Sequence, residues 1–390
     1  MGKKIKIIIA ADSFKGSATS DEVSDSIEKG IRKFSEIETE IKKIPIADGG
    51  EGTVDAVVKA TDGIFEYMEV KGPLGKVVKA KFGFIHNDTA ILEMAEASGI
   101  NLISEEEKDP FRTNTYGVGE ILKYILDKGI RKIFIGIGGS ATNDGGAGML
   151  HSLGVRFYDS GNNEIGYCPE ELKELSKVDI TGLDKRIFES EIIVLSDVSN
   201  PLCGENGASY IYGPQKGASP EDIEVLDKIL ENYGNIVDRE LKDSFMQKPG
   251  TGAAGGLGYA LLSICRAEFR VGIDEIVKLI GLEEEIKNSD LIITGEGRID
   301  NQSVNGKAPI GIAKIAKKYD LPVIAIVGSS ALQLDDIYQN GIDLVLDVIN
   351  EPMKLERAMS EVHKLLEFAG EKAIRAYFLG RKYGKNNKAV

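Results

Sequence analysis

Thirteen residues at positions 136–148, GIGGSATNDGGAG, contain six glycines, with Ser140, Thr142, Asn143 and Asp144 between the glycine pairs. Glycine lacks a Cβ, so backbone N–H groups can approach an oxyanion closely and the chain can adopt positive φ. An apolar run at 132–135 leads in, and a helix-like run led by Met149 and Leu150 leaves. A helix starting there would add partial positive charge. Together these features suit a phosphate or a carboxylate.

A second set of residues repeats one theme, an acidic residue just past an apolar run. Asp12 stands three residues before Lys15 in DSFKGS (12–17), and Asp48 three before Glu51 in DGGEGT (48–53). Asp197 follows the run at 192–195, and Glu296 and Asp300 flank Arg298 in GEGRID (295–300). Any one of these reads as an ordinary turn, because Asp and Gly are turn residues and Asp caps helices. With the loop of Asp144 there are five such loops, and one cleft could collect them. Phosphoryl transfer uses such parts: carboxylates for Mg²⁺, a base for the attacking hydroxyl, and cations and N–H groups for phosphate charge. Lys15, Lys216, Arg298 and Lys307 lie within these or similar loops. Arg298 is the strongest of them, since a guanidinium pairs a carboxylate or phosphate in two-pronged fashion.

Known nucleotide motifs do not carry the reading. Gly306-Lys307 lacks the upstream glycine and the following Ser or Thr of a Walker A loop. Residues 250–255, GTGAAG, match GxGxxG formally, but 243–249 does not read as a strand. That segment is expected to be a helix-start loop with no role in NAD binding.

The elements that must position these residues follow from periodicity. Continuous apolar runs at 5–10, 290–294, 322–327 and 344–346 predict buried parallel strands. A fifth strand is expected at 43–47, at a sheet edge because of Pro45. Thr19 and Glu22 form a capping box before a helix that carries Val23, Ile27, Ile31 and Phe34. From residue 64 the style changes to shorter alternating strands at 65–70, 77–82 and 90–94, which suggest some antiparallel pairing. A helix at 118–126, a helix of about twenty residues after 218 and a closing helix at roughly 352–378 follow from apolar spacing. The tail after Gly380 is basic, polar and expected to be loose. The predicted fold class is α/β: a flavodoxin-like doubly wound parallel sheet (1–63 and 288–390) with a second mixed α/β domain (64–287) inserted.

Composition sets outer bounds. A chain of 390 residues is long enough for two domains. The net charge of −14 disfavours nucleic acid and anionic membranes as partners, so an anionic substrate needs a locally basic pocket. Three separated cysteines and three scattered histidines predict reduced thiols, a cytoplasmic setting, and neither a zinc site nor an imidazole-held metal. The apolar run that stops at Asp12 is too short for a signal peptide or a membrane span.

Read together, DSFKG (12–16), ADGGEGT (47–53), the glycine loop at 136–148, NPL (200–202), GPQKGA (213–218) and TGEGR (294–298) closely resemble the type 1 glycerate kinases of bacteria. The resemblance runs from about residue 4 to beyond 375. Departures are small: Ala11 where the family often has proline, Ile46 where methionine is frequent, and Thr251 in place of a small residue. None of them removes a polar group. The resemblance implies ATP-dependent phosphorylation of D-glycerate, with 2-phosphoglycerate as the expected product; the chain is expected to be a monomer or homodimer, a choice the sequence leaves open. The resemblance also implies a flavodoxin-like domain carrying an inserted α/β domain.

Within that reading, chemistry and position suggest roles. Gly138, Gly139, Ser140, Ala141, Thr142, Asn143, Asp144 and Gly145 are expected to hold ATP phosphates. Asp144, Asp197 and Glu296 are candidate Mg²⁺ ligands. Asp48 or Asp12 would accept the glycerate hydroxyl proton, and Lys15 and Arg298 would hold the substrate carboxylate or the transferred phosphoryl group. Three alternatives remain at this stage: attack by the 3-hydroxyl giving 3-phosphoglycerate, an NAD-dependent hydroxy-acid dehydrogenase, and a non-enzymatic ligand sensor.

Overall fold

The computed structural model describes residues 4–304 and 306–384. The chain forms two compact units, one from Met1–Asp48, Asp55–Thr61 and Ile273–Val390, the other from Gly49–Val54 and Asp62–Gly272. The strands, in chain order, begin with β1 (Ile5–Ala11), β2 (Thr39–Lys43), β3 (Ile64–Lys71), β4 (Val77–Ile85) and β5 (Thr89–Glu93). Next come β6 (Lys132–Gly136), β7 (Arg156–Tyr158), β8 (Glu164–Ile165), β9 (Lys177–Asp179) and β10 (Glu191–Leu195). The last are β11 (Glu268–Arg270), β12 (Leu291–Ile299), β13 (Val323–Ser330) and β14 (Leu344–Asp347).

In the first unit the order is β14-β13-β12-β1-β2, and every pairing is parallel. Counting this unit's own strands, the order is 2-1-3-4-5, the flavodoxin-like arrangement, with its switch point between β1 and β12. All but one residue of β1 is buried, as its unbroken apolar run requires. The helix Ser20–Arg32 starts on the Thr19 capping box and packs against the helix Val362–Gly384. At Gly30 the two backbones come so close that a Cβ would lie 1.9 Å from the Glu367 carbonyl oxygen. Ile7, Ile9, Ile27, Leu291, Ile293 and Leu366 are among the residues of the core between sheet and helices.

The second unit has a six-stranded sheet ordered β11-β10-β6-β5-β4-β3. β3, β4 and β5 pair antiparallel, whereas β5, β6, β10 and β11 run parallel, so the sheet is mixed. A small antiparallel sheet, β8-β7-β9, has no counterpart in the sequence reading. This unit has its own core, which includes Leu92, Ile121, Ile135, Val194 and Leu257.

Several boundaries moved. The strand expected at 43–47 ends at Lys43: Ile44 N still donates to Ile9 O at 2.9 Å, but proline at 45 has no N–H to continue the ladder. β12 does not stop at Thr294 but continues to Ile299, because β13 extends alongside it and pairs Glu296 with Val327 and Arg298 with Ser329. The composition change suggested a return near 288, whereas the chain re-enters the first unit at Ile273. The helix Leu282–Lys287 packs on the helix Ala308–Lys317, and a Cβ on Gly311 would meet Ile273 Cγ1 at 2.7 Å. The closing helix is two, Leu355–Ser360 and Val362–Gly384. The second runs through part of the supposed tail, and residues 385–390 lie outside the described residues. Residues 243–249 form no strand, and Leu257–Ser263 is a helix, which agrees with a helix-start reading of GTGAAG. Among the described residues no helix is long and apolar enough to cross a membrane.

Candidate active site

In the first unit the candidate side chains gather where ligands of open α/β sheets bind, at the carboxyl ends of the strands beside the switch point. Asp12 is the first residue past β1, and its N–H donates to Gly295 O of β12 at 2.9 Å. Its Oδ1 accepts from Ser13 N at 2.6 Å. A cleft of about 750 Å³ opens there, and Asp12, Lys15, Asp48, Glu296, Arg298 and Lys307 supply its charged lining. Asp12 keeps an accessible edge, yet the protein around it and then the charge of Asp48 push its carboxyl up to about 7. Lys15 opposes that shift. Burial also raises Glu296, against the pull of Lys307, whose Nζ lies 3.0 Å from Glu296 Oε2. Glu296 Oε1 is buried and has no hydrogen-bond partner among the described residues. Arg298 is 70% exposed at its side chain, with Nε 3.4 Å from Asp300, so most of its fork faces solvent. Glu296 and Arg298, two apart on an extended strand, share one side of it.

The second unit carries a different set at the carboxyl edge of its parallel strands. β5 and β10 flank β6, with Glu93 and Leu195 each opposite Gly136. Gly138 and Gly139 are exposed, and Gly139 has φ +73°, a conformation that favours glycine. A Cβ on Gly138 would lie 3.1 Å from Gly50 Cα, and one on Gly136 would lie 2.6 Å from Gly49 O. The segment 49–54 is thus laid across the glycine loop. Glu93 holds it there by accepting from Gly52 N at 3.3 Å and Val54 N at 2.8 Å. The sequence reading missed Glu93. Its one signal was a carboxylate inside the apolar strand AILEM at 90–94, and a buried acid needs partners. Asp197 is exposed on the loop past β10.

Asp144, expected as a Mg²⁺ ligand, spends its carboxylate on internal hydrogen bonds. It is fully buried, and its two oxygens are filled: Oδ1 accepts from Gly146 N at 3.1 Å. Oδ2 accepts from Thr115 N at 2.8 Å, Thr115 Oγ1 at 2.7 Å and Gly148 N at 3.1 Å. A carboxylate so occupied organises the start of the helix Ala147–Ser152. Its neighbours Ala141, Thr142, Asn143 and Gly145, also expected at the phosphates, are buried too. Of the eight loop residues expected to hold phosphates, only Gly138 and Gly139 are exposed; Ser140 is buried like the rest. Behind the loop, buried Lys216 donates from Nζ to Thr142 O at 2.6 Å. Burial lowers that ammonium to about 7, against the attraction of Asp144. Lys216 therefore braces the loop from inside.

The three candidate Mg²⁺ ligands are divided between the two units. Glu296 belongs to the first unit, whereas Asp144 and Asp197 belong to the second. Among the described residues no group of three or more His, Cys, Asp or Glu is arranged to hold a metal ion. A magnesium ion bridged to phosphates needs only one or two protein carboxylates. The unpartnered Glu296 Oε1, with Asp48 in the same cleft, fits that smaller demand.

Comparison with known proteins agrees across nearly the whole chain. The model of the Glycerate kinase family matches residues 7–378. Glycerate kinase of Bacillus subtilis (strain 168) is 43% identical over 364 residues, covering 93% of this chain and 95% of that one. Glycerate 2-kinase of Escherichia coli (strain K12) is 46% identical over 355 residues, covering 91% and 93% respectively. A crystal structure assigned to glycerate kinase 2 of Salmonella typhimurium LT2 superposes with a TM-score of 0.84 at 43% identity. It spans 97% of this chain and 100% of that one.

Proposed function

Because this chain belongs to the glycerate kinase family, we propose that it transfers the γ-phosphoryl group of ATP to the 2-hydroxyl of D-glycerate, giving 2-phosphoglycerate and ADP. The observation that carries the reading is Asp12: a carboxyl pushed up to about 7, at a sheet switch point, in a cleft that also holds Lys15, Arg298 and Lys307. A base poised near the working pH takes a proton most effectively. In the proposed step Asp12 Oδ receives the proton of the glycerate hydroxyl. The freed oxygen forms a bond to the γ-phosphorus, the bond from that phosphorus to the β–γ bridging oxygen breaks, and ADP leaves. Lys15 and the open fork of Arg298 hold the substrate carboxylate and the charge that spreads over the transferred group. Gly138 and Gly139 supply backbone N–H groups for phosphate oxygens in the second unit.

Glu296 and Asp48 would hold a magnesium ion, which when bound neutralises phosphate charge. Support for the 2-hydroxyl comes from the name of the Escherichia coli relative, a glycerate 2-kinase. Incubation with ATP, Mg²⁺ and D-glycerate, followed by phosphorus NMR, tests class and position together. The expected product is 2-phosphoglycerate. A 3-phosphoglycerate signal would overturn the position of attack, and no glycerate-dependent consumption of ATP would overturn the function.

A further inference from the structure

The cleft of the first unit is much larger than a three-carbon acid needs. At about 750 Å³ it falls in the size class of sites for drug-sized ligands. Its charged lining is Asp12, Lys15, Asp48, Glu296, Arg298 and Lys307. The same cleft is also lined by apolar side chains, among them Ile349, Met353, Leu355 and Met359. Glycerate carries a hydroxyl or carboxylate on every carbon, so it has nothing to offer them. These side chains are also exposed, Leu355 by 71%, Ile349 by 38% and Met359 by 36%. Met359 reaches back toward the loop after β1, its Cε 3.2 Å from where a Cβ on Gly16 would stand. Apolar and charged side chains therefore line one cleft within one unit.

A ligand that fits both kinds of lining is flat and apolar-faced at one end and anionic at the other. We propose that the apolar lining of this cleft, with Ile349, Met353, Leu355 and Met359, is the subsite for the purine nucleoside of the phosphoryl donor. Thioether sulfurs are polarizable and pack well on aromatic faces, and aliphatic side chains cover the rest of a planar base. Residues 349–354 lie outside helix and strand, so their backbone groups supply donors and acceptors for the base edges. The anionic end of the donor runs toward Lys15, Arg298 and Lys307. This assignment rests on the kinase reading for the identity of the ligand, but on the cleft alone for its place.

Photolabelling with 8-azido-ATP, followed by peptide mapping, reads the position of the base directly. Label that ATP competes away, confined to residues 348–362, is the expected result. Competed label on residues 138–146 or 196–216 instead overturns the subsite. The absence of any competed label also overturns it. Leu355→Asp gives a second readout, since an exposed position tolerates the change in the fold. The KM for ATP should rise about tenfold or more, the loss of one apolar contact, while the KM for glycerate and the Tm stay within about twofold and a degree or two of wild type. Equal KM for ATP in that variant counts against the subsite. Label at 348–362 without glycerate turnover keeps the subsite and rejects glycerate as acceptor. Turnover with label elsewhere keeps the kinase and rejects the subsite.

Discussion

A single carboxyl group, Asp12, sets the expected pH response. Its value in the folded chain is raised to about 7 by burial and by Asp48. Below that pH it holds a proton and cannot accept another, so kcat/KM for glycerate should fall as pH drops through about 7. The stability sign is opposite. A raised carboxyl favours the folded state below the ordinary carboxylate range, and that advantage is lost as pH rises through about 7. Asp12→Asn should therefore lower kcat by about 10²–10⁴, erase the acid limb and leave the Tm at pH 8 equal or higher. A retained limb in the pH–rate profile would point to another base. Asp144 predicts the reverse pattern. Its four hydrogen bonds are all internal, so Asp144→Asn should cost about 2–3 kcal/mol in chemical denaturation while the apparent affinity for Mg²⁺ is unchanged. A metal ligand would lose Mg²⁺ affinity with little change in stability.

At the scale of elements, two loop-bearing strands matter most. The extension of β12 to Ile299 turns Glu296 and Arg298 from expected loop residues into strand residues. Gly295 permits the close neighbour: a Cβ there would strike Ile326 O at 2.1 Å. The glycine loop after β6 works differently, through positive φ at Gly139. Valine at that position is strained whatever space it finds, at a cost of about 1–3 kcal/mol. Gly139→Val should raise the KM for ATP several-fold while the KM for glycerate changes less. Steady-state kinetics with each substrate varied in turn checks this, and an unaltered KM for ATP removes the loop from phosphate binding.

For the whole molecule the dominant number is charge, 62 acidic against 48 basic residues. Excess like charge destabilises compact states by self-repulsion, and salt screens it within about 10 Å at 0.1 M. The many exposed ion pairs weaken in salt too, but each contributes at most about 1 kcal/mol. Repulsion should win, so the Tm measured by scanning calorimetry should rise between about 0.01 M and 0.1 M NaCl. A falling Tm would mean that the surface pairs outweigh the net charge.

Much was legible without coordinates. The apolar runs of β1, β12, β13 and β14 marked the parallel sheet because strands covered on both faces cannot alternate. Asp12, Lys15, Asp48, Glu296 and Arg298 stood out as polar residues at or just past apolar runs, and local sequence carries that information. Whether a side chain at such a place meets solvent or is swallowed by the core depends on partners far along the chain. Asp144 and Thr115 are neighbours only after folding, as are Lys216 and Thr142, so sequence spacing could not tell a ligand from a buried brace. The same holds for Glu93, whose work lies on residues 52 and 54, and for the end of β12, decided by a strand it meets about thirty residues later.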